Sequence, residues 1–361
     1  AWGAVIVGDL GVVTACRLRL LAGVGAADRG VHALAAGSML GVQGALAGLG
    51  AVLFGLTGTD LGASVVVATV GLAVSIGAMR AASELGYGVR GYRWVSFVEL
   101  GVAAGQVVAS TGLWTVGRLS TTTAVIAMAI PHLVGAVVMG RRLGFVPSRI
   151  GTRVPFRSLA TDGLSSMLGS AAHYLAVRSN RLVVAGVLGA RSAGEFAVAV
   201  TLPETLRLVP RAISQVLGDR LRSGETTLRD VRRPLILVIL CYVVLQGVVA
   251  WVGPGLVTAL FGETFTEVVE ILPVLALAEC LFAVSLVFGG LLKGLAHPSR
   301  IGVPDVVGAV VTVVVTTVVV GRWGISGAAW AAVAGAASMA LVGGLWARVS
   351  LRHATAGEWG R

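Results

Sequence analysis

Charge is what this sequence has least of. Only 12% of its 361 residues are Asp, Glu, Lys or Arg, against about 25% in a soluble domain. Lysine is almost absent: of 28 basic residues, Lys293 is the single lysine and the rest are arginine. Three cysteines, Cys16, Cys241 and Cys280, lie far apart. That excludes a disulfide framework, a CxxC redox pair and a Cys/His metal spacing. No HExxH, P-loop or GxSxG pattern occurs, so no catalytic machinery, cofactor, metal or ATP site is implied.

What fills the chain instead is apolar sequence, 56% hydrophobic with a mean hydropathy of +0.90. Runs of around 20 apolar residues recur, each long enough to cross a bilayer. The expected fold is all-α: a polytopic membrane protein of about ten full transmembrane helices plus a partial one at the N-terminal end. Spans are expected near 34–56, 62–80, 94–116, 122–140, 159–178, 193–217, 234–253, 269–291, 302–320 and 325–347. A basic connector with two prolines, 141–158, separates an N-terminal helical lobe (1–140) from a C-terminal six-helix lobe (159–347), with a polar tail at 348–361. The opening residues, AWGAVIVGDLGVV, are too few for a span and read as the end of one.

A net charge of +11 would suggest nucleic acid in a soluble protein. Here the arginines sit in the breaks between apolar runs. With the connector on the cytoplasmic side, 21 basic residues fall on that side and five opposite, while Arg207 and Arg211 lie within a span. This is the positive-inside asymmetry. It places the C-terminus in the cytoplasm and argues against a nucleic-acid partner. Arginine in place of lysine, with abundant Ala, Val and Gly, suggests a GC-rich bacterial genome and hence a bacterial plasma membrane.

Two places depart from this pattern. The outer break near 178–192 carries Arg178, Arg181 and Arg191. The span at 193–217 carries Glu204, Arg207 and Arg211, spaced i, i+3 and i+7 and so expected on one helical face. A charge at the bilayer centre costs from about 2.5 to more than 10 kcal/mol, so this face must meet protein or a watery cavity. Pro203 and Pro210 bracket Arg207 and predict a kink that frees backbone groups. At about 1.5 Å per residue, Arg207 lies about 15 Å and Arg211 about 9 Å from the span's end at Leu217. The structural alternative is a Glu204–Arg207 ion pair with Arg211 snorkelling to the interface.

Tyr174, Asn180, Arg181, Gly189, Ala190, Gly194, Phe196, Ala199, Leu202 and Glu204 form an ordered run. It resembles "Y-x-x-x-D-R … G-A-x-x-x-G-x-[YF]-x-x-A … L-x-E" in the seventh and eighth helices of the polysaccharide-exporting flippases of the multidrug/oligosaccharidyl-lipid/polysaccharide exporter superfamily. Phe261 to Phe265, Gly324 to Ala331 and Gly8 to Gly11 resemble further motifs of that family in the same order. The resemblance implies two six-helix lobes with cytoplasmic termini, twelve helices in all, of which the first and part of the second are missing here. It implies a non-enzymatic transporter that flips a polyprenyl-pyrophosphate-linked oligosaccharide across the plasma membrane by alternating access, for cell-surface polysaccharide synthesis. Membrane lipids, a polysaccharide polymerase and glycosyltransferases are the implied partners. Arginine's planar fork suits pyrophosphate, which makes Arg207, Arg211, Arg17, Arg19, Arg178 and Arg181 the substrate-binding candidates. Glu204, His173, Glu279 and His132 are candidates for a coupling ion or a polar cavity. Asn180 stands where the family has Asp, so the local partner for Arg181 is absent. The alternatives are a drug/cation antiporter or peptidoglycan-precursor flippase of the same superfamily, a membrane-embedded polysaccharide polymerase, and a non-transporting scaffold. The short outer breaks, about 15 residues at most, disfavour the polymerase.

Overall fold

A computed structural model of the chain describes residues 5, 12–21, 29–55, 62–89, 91–142, 156–222, 226–262, 265–295 and 302–355. These residues form eleven helices and no strand, as the apolar periodicity predicts. The chain divides into two compact units, Ala1–Met167 and Leu168–Arg361.

Unit 1 contains α1 (Val12–Leu21), α2 (Arg29–Gly55), α3 (Ala63–Gly88), α4 (Tyr92–Thr115) and α5 (Thr121–Arg142). Helix α3 is its hub and packs against α1, α2 and α5, while α4 covers α5. Small residues permit the approach. A Cβ at Gly135 of α5 would meet Val102 at 2.5 Å and Met79 at 2.9 Å, and one at Gly88 would meet the Arg17 backbone at 3.2 Å. Met79, Ala82, Val95, Val102 and Met139 are buried between α3, α4 and α5.

Helix α6 (Phe156–Leu188) begins in unit 1 and runs on into unit 2, where it is followed by α7 (Ala190–Thr205), α8 (Leu208–Arg222), α9 (Leu228–Phe261), α10 (Thr266–Gly294) and α11 (Val303–Thr355). Here α10 is the hub and touches α7, α8, α9 and α11. Its core gathers Phe196, Leu272, Leu275, Val320, Ile325 and Ala328. The chain turns from α6 into α7 at Gly189, whose φ of 88° favours glycine. Helix α11 is two arms joined at Gly324 (φ 57°, ψ −143°). Gly308 lies against Met339, and Gly335 against Thr312. These contacts are symmetric about Gly324, so the arms form an antiparallel hairpin, matching the break expected between the last two spans.

Six of the described helices are long and apolar enough to cross a membrane. Their outer faces carry large apolar side chains such as Val67, Leu100 and Val108, with Trp251 83% exposed. Water would penalise such surfaces, whereas lipid does not. One expected span differs. Residues 193–217 are not a single helix: α7 ends at Thr205 and α8 begins at Leu208. Arg207 N donates to Glu204 O, a three-residue step, and Val209 N to Leu206 O. Pro210 has no N–H to donate. Beyond the break the four-residue step resumes, with Arg211 N donating to Arg207 O at 3.2 Å.

Candidate functional site

The break between α7 and α8 is the centre of a charged cluster in unit 2. Because Arg207 N turns to Glu204 O, the Pro203 carbonyl loses its helical donor. Gln246 of α9 supplies one, its Nε2 donating to Pro203 O at 3.0 Å and to the Tyr242 hydroxyl at 2.9 Å. Gln246 and Tyr242 are both 1% exposed. A buried carbonyl left without such a donor costs about 1–3 kcal/mol.

Arg207 points from the break to α10. Its Nε donates to Glu279 Oε2 at 2.9 Å and its Nη2 to Glu279 Oε1, a two-pronged pair. Its Cζ lies 4.3 Å from the centroid of the Phe282 ring, within cation–π range. Glu204 is a weaker partner at 3.4 Å. The stronger bonds of Glu204 reach α6, with Arg181 Nη2 at 2.7 Å and Arg178 Nη1 at 3.3 Å. Two carboxylates thus serve three guanidiniums, and Arg181 Nε is buried with no hydrogen-bond partner among the described residues. A cavity of about 40 Å³ opens beside the cluster, lined by Asn180, Glu204, Arg207, Glu279, Phe282 and Thr312 among others. It has room for water, not for a sugar.

Helix α6 is placed by its run along the first arm of α11. A Cβ at Gly169 would sit 3.1 Å from Gly302 Cα. One turn later, His173 Nδ1 lies 2.9 Å from Asp305 Oδ1. Further on, the Thr316 hydroxyl donates to Asn180 Oδ1 at 3.0 Å, and Asn180 Nδ2 to Ala328 O at 3.3 Å. Asn180 therefore ties α6 to both arms of α11. Arg181, left without a neighbouring acid by this asparagine, takes Glu204 from the next helix.

Within unit 2 the structure gathers Arg178, Arg181, Glu204, Arg207 and Glu279. Arg211 is exposed on α8 and forms no ion pair among the described residues. Its backbone N–H donates to Arg207 O at 3.2 Å, a four-residue helical step. Arg178 and Arg181 pair with Glu204 rather than with Glu195, which holds Arg191 at 3.0 Å. His173 touches the cluster through Phe282, its ring centroid 5.2 Å from that ring. In unit 1, His132 Nδ1 contacts Gln106 Nε2 at 3.0 Å and Met128 O at 2.8 Å. The Arg19 side chain lies outside what the structure describes.

Arg17 repeats the Arg207 arrangement inside unit 1. It is 7% exposed, its Nη1 donates to Glu84 Oε2 at 2.8 Å, and its Cζ lies 5.0 Å from the Tyr87 ring centroid. In each unit an arginine before the hub helix grips a hub glutamate and covers the aromatic ring three residues further on. Tyr87 adds a bond to Glu99 Oε2 at 3.0 Å. The sequence marked Glu279 as a charge within a span but carried no signal for either pairing, since the partners lie 67 and 72 residues apart. Gln246 and Phe282 were missed for the same reason.

Solved structures of membrane transporters share the fold of this chain. A MATE crystal structure in the straight conformation matches with a TM-score of 0.73 at 15% identity, over 97% of this chain and 86% of that one. The chain has the fold of the MATE transporters. An inward-facing multidrug resistance MATE family transporter of the MOP superfamily matches over 100% of this chain and 90% of its own, with a TM-score of 0.70 at 15% identity. A MOP superfamily transporter from Pyrococcus furiosus matches over 98% and 86%, with a TM-score of 0.71 at 13% identity. No family model matches the sequence, and no curated protein matches it. The MATE fold and the six apolar helices make the chain a multi-pass membrane protein.

Proposed function

We propose that this protein is a transporter working by alternating access, and that it carries an anionic, lipid-linked headgroup, a polyprenyl-pyrophosphate oligosaccharide, across a bacterial plasma membrane. The observation that supports this most is the excess of guanidinium over carboxylate in unit 2, with Arg181 Nε unpartnered. Arg178 and Arg181 are the more accessible of the three arginines. They are the pyrophosphate ligands of this reading. Arg207, clasped by Glu279, holds the helix break. The motif resemblance supplies the glycan part of the substrate. The fold is known in inward-facing and outward-facing forms, which supports alternating access. The Pyrococcus furiosus transporter is described as having a binding pocket of reverse polarity that suggests a different function, so pocket charge varies within this fold.

A drug/cation antiporter is the second reading. It is favoured by the multidrug resistance transporters among the fold's relatives and by the two carboxylates lining the small cavity. The test is a deletion strain complemented with the wild type or with the Arg178→Gln, Arg181→Gln double variant. The flippase reading expects lost surface glycan, lipid-linked intermediates accumulating inside, and no rescue by the variant despite normal expression. Unchanged glycan with altered drug susceptibility would instead establish the antiporter.

A further inference from the structure

We propose that the end of unit 1 where α4 begins and α5 finishes binds an anionic phospholipid, its phosphate on Arg141 and Arg142 and its acyl chains along Phe97 and Val138. The two helix ends meet over a buried seam, in which Val95 of α4 and Met139 of α5 share one cluster. Beside that seam Arg142 lies over Trp94, its Cζ 4.9 Å from the ring centroid, within cation–π range. The stack holds the guanidinium in place and leaves its N–H donors unspent. Arg93, Arg141 and Arg142 are all exposed, and none of them makes an ion pair or a side-chain hydrogen bond among the described residues.

The nearby acids are already engaged. Of the unit 1 acids whose side chains are described, Glu84 is held by Arg17 and Glu99 by Tyr87. Arg93 also stands in the first turn of α4, where the helix dipole favours an acid, and no acid is there. Trp94 Nε1 is buried with no acceptor among the described residues. Three guanidiniums and an indole N–H, donors all, thus gather without a protein acceptor. A phosphate diester supplies one. Arginine's planar fork pairs with phosphate oxygens, and basic pockets between membrane helices on the cytoplasmic side take anionic lipid headgroups. The charge asymmetry of the sequence assigns this end to that side. The surface then continues as a lipid requires. Phe97 follows Trp94 by one turn and Val138 precedes Arg142 by one turn, and both are exposed. A soluble phosphate would use the arginines and leave this apolar strip bare, whereas a phospholipid covers both.

The site is independent of the transporter reading, and its test needs no transport. Purified protein in detergent is titrated with phosphatidylglycerol, phosphatidylcholine or glycerophosphate, and bound lipid is read by native mass spectrometry. Phosphatidylglycerol should bind in preference to phosphatidylcholine. The Arg141→Gln, Arg142→Gln double variant should weaken it by about five-fold for each arginine, about twenty-five-fold in all. The control double variant Arg118→Gln, Arg322→Gln removes the same charge from exposed positions elsewhere and should leave binding unchanged. Arg142→Lys keeps the charge but loses the fork and the stack, and should fall between the two. A wild type that binds phosphatidylglycerol no better than phosphatidylcholine overturns the proposal. So does an equal loss in both double variants, which would mean bulk attraction to a basic protein. Displacement of the lipid by glycerophosphate at matched concentration would make this a soluble-anion site and overturns it too. Should the Arg141, Arg142 variant fail to fold, carbene-labelled phosphatidylglycerol crosslinked to the wild type decides. Adducts are expected within 92–97 and 138–142, and adducts confined to other segments overturn the site. Each of these failures leaves the glycan experiment untouched.

Discussion

Cutting the Arg207–Glu279 pair from either side should have unequal consequences. Glu279 is 6% exposed and, among the described residues, its only cation is Arg207. Arg207→Met thus strands a carboxylate inside unit 2, which for a buried pair costs about 3–5 kcal/mol. Glu279→Leu leaves Arg207 with Glu204 at 3.4 Å and the Phe282 ring, so its cost should be nearer about 1–3 kcal/mol. Removing both partners replaces a buried charge pair with apolar groups, which is often neutral or stabilising. The double variant should therefore lie within about 1 kcal/mol of wild type. Thermal melting in detergent, followed by tryptophan fluorescence, gives the ranking. At about 2–4 °C per kcal/mol for a unit of this size, Arg207→Met should melt roughly 6–20 °C early. If the two single losses simply add in the double variant, the pair is not coupled and the geometry of the cluster is wrong. If Glu279→Leu is the more damaging single change, Glu204 does not share Arg207.

Other changes test the framework around the cluster. Gln246→Leu should orphan the Pro203 carbonyl, lower stability by about 1–3 kcal/mol and raise hydrogen exchange at 203–211; unchanged exchange would show that α9 does not secure the break. Gly324→Ala forces a side chain into a backbone region nearly reserved for glycine, at about 1–3 kcal/mol, and should lower the melting point, whereas Gly321→Ala, with open space around it, should not. At the start of α9, outside the membrane span, the Thr227 hydroxyl and backbone N–H hold the Asp230 carboxyl below its ordinary range. That cap contributes above about pH 4 and is lost as pH falls through the lowered value. Exchange at 228–232 should rise on acidification in the wild type and stay flat in Asp230→Asn.

The all-helical fold was legible because lipid imposes a simple rule: every backbone polar group must be satisfied within its own helix. Apolar run length therefore located most helices, and the interruption at 321–324 gave the α11 hairpin. The charged cluster was half legible. Glu204, Arg207 and Glu279 announced themselves as charges in apolar runs, and Arg178 and Arg181 as basic residues on the wrong side. Their pairing was hidden, because helices that meet in space are many tens of residues apart in the chain. The interruption of the span at 193–217 was half legible: Pro203 and Pro210 announced a kink, but not that the chain would change its hydrogen-bond step at Arg207. Arg17 misled by position, since a basic residue near a span's end reads as a loop residue, yet Glu84 and Tyr87 draw it into the interior of unit 1.

The two arginine clamps have a use beyond holding helices. No close repeat of one half in the other is visible in the sequence. A contact can align them where letters fail: Arg17 with Arg207, Glu84 with Glu279, Tyr87 with Phe282. That register sets α2 against α9, α3 against α10, and α4 and α5 against the two arms of α11. The arginine-to-glutamate separation differs by only five residues, 67 against 72. A gene for one such half, copied and joined to itself, leaves this kind of trace. Side chains facing lipid drift freely after duplication, while a charge sealed inside a bundle can change only together with its partner.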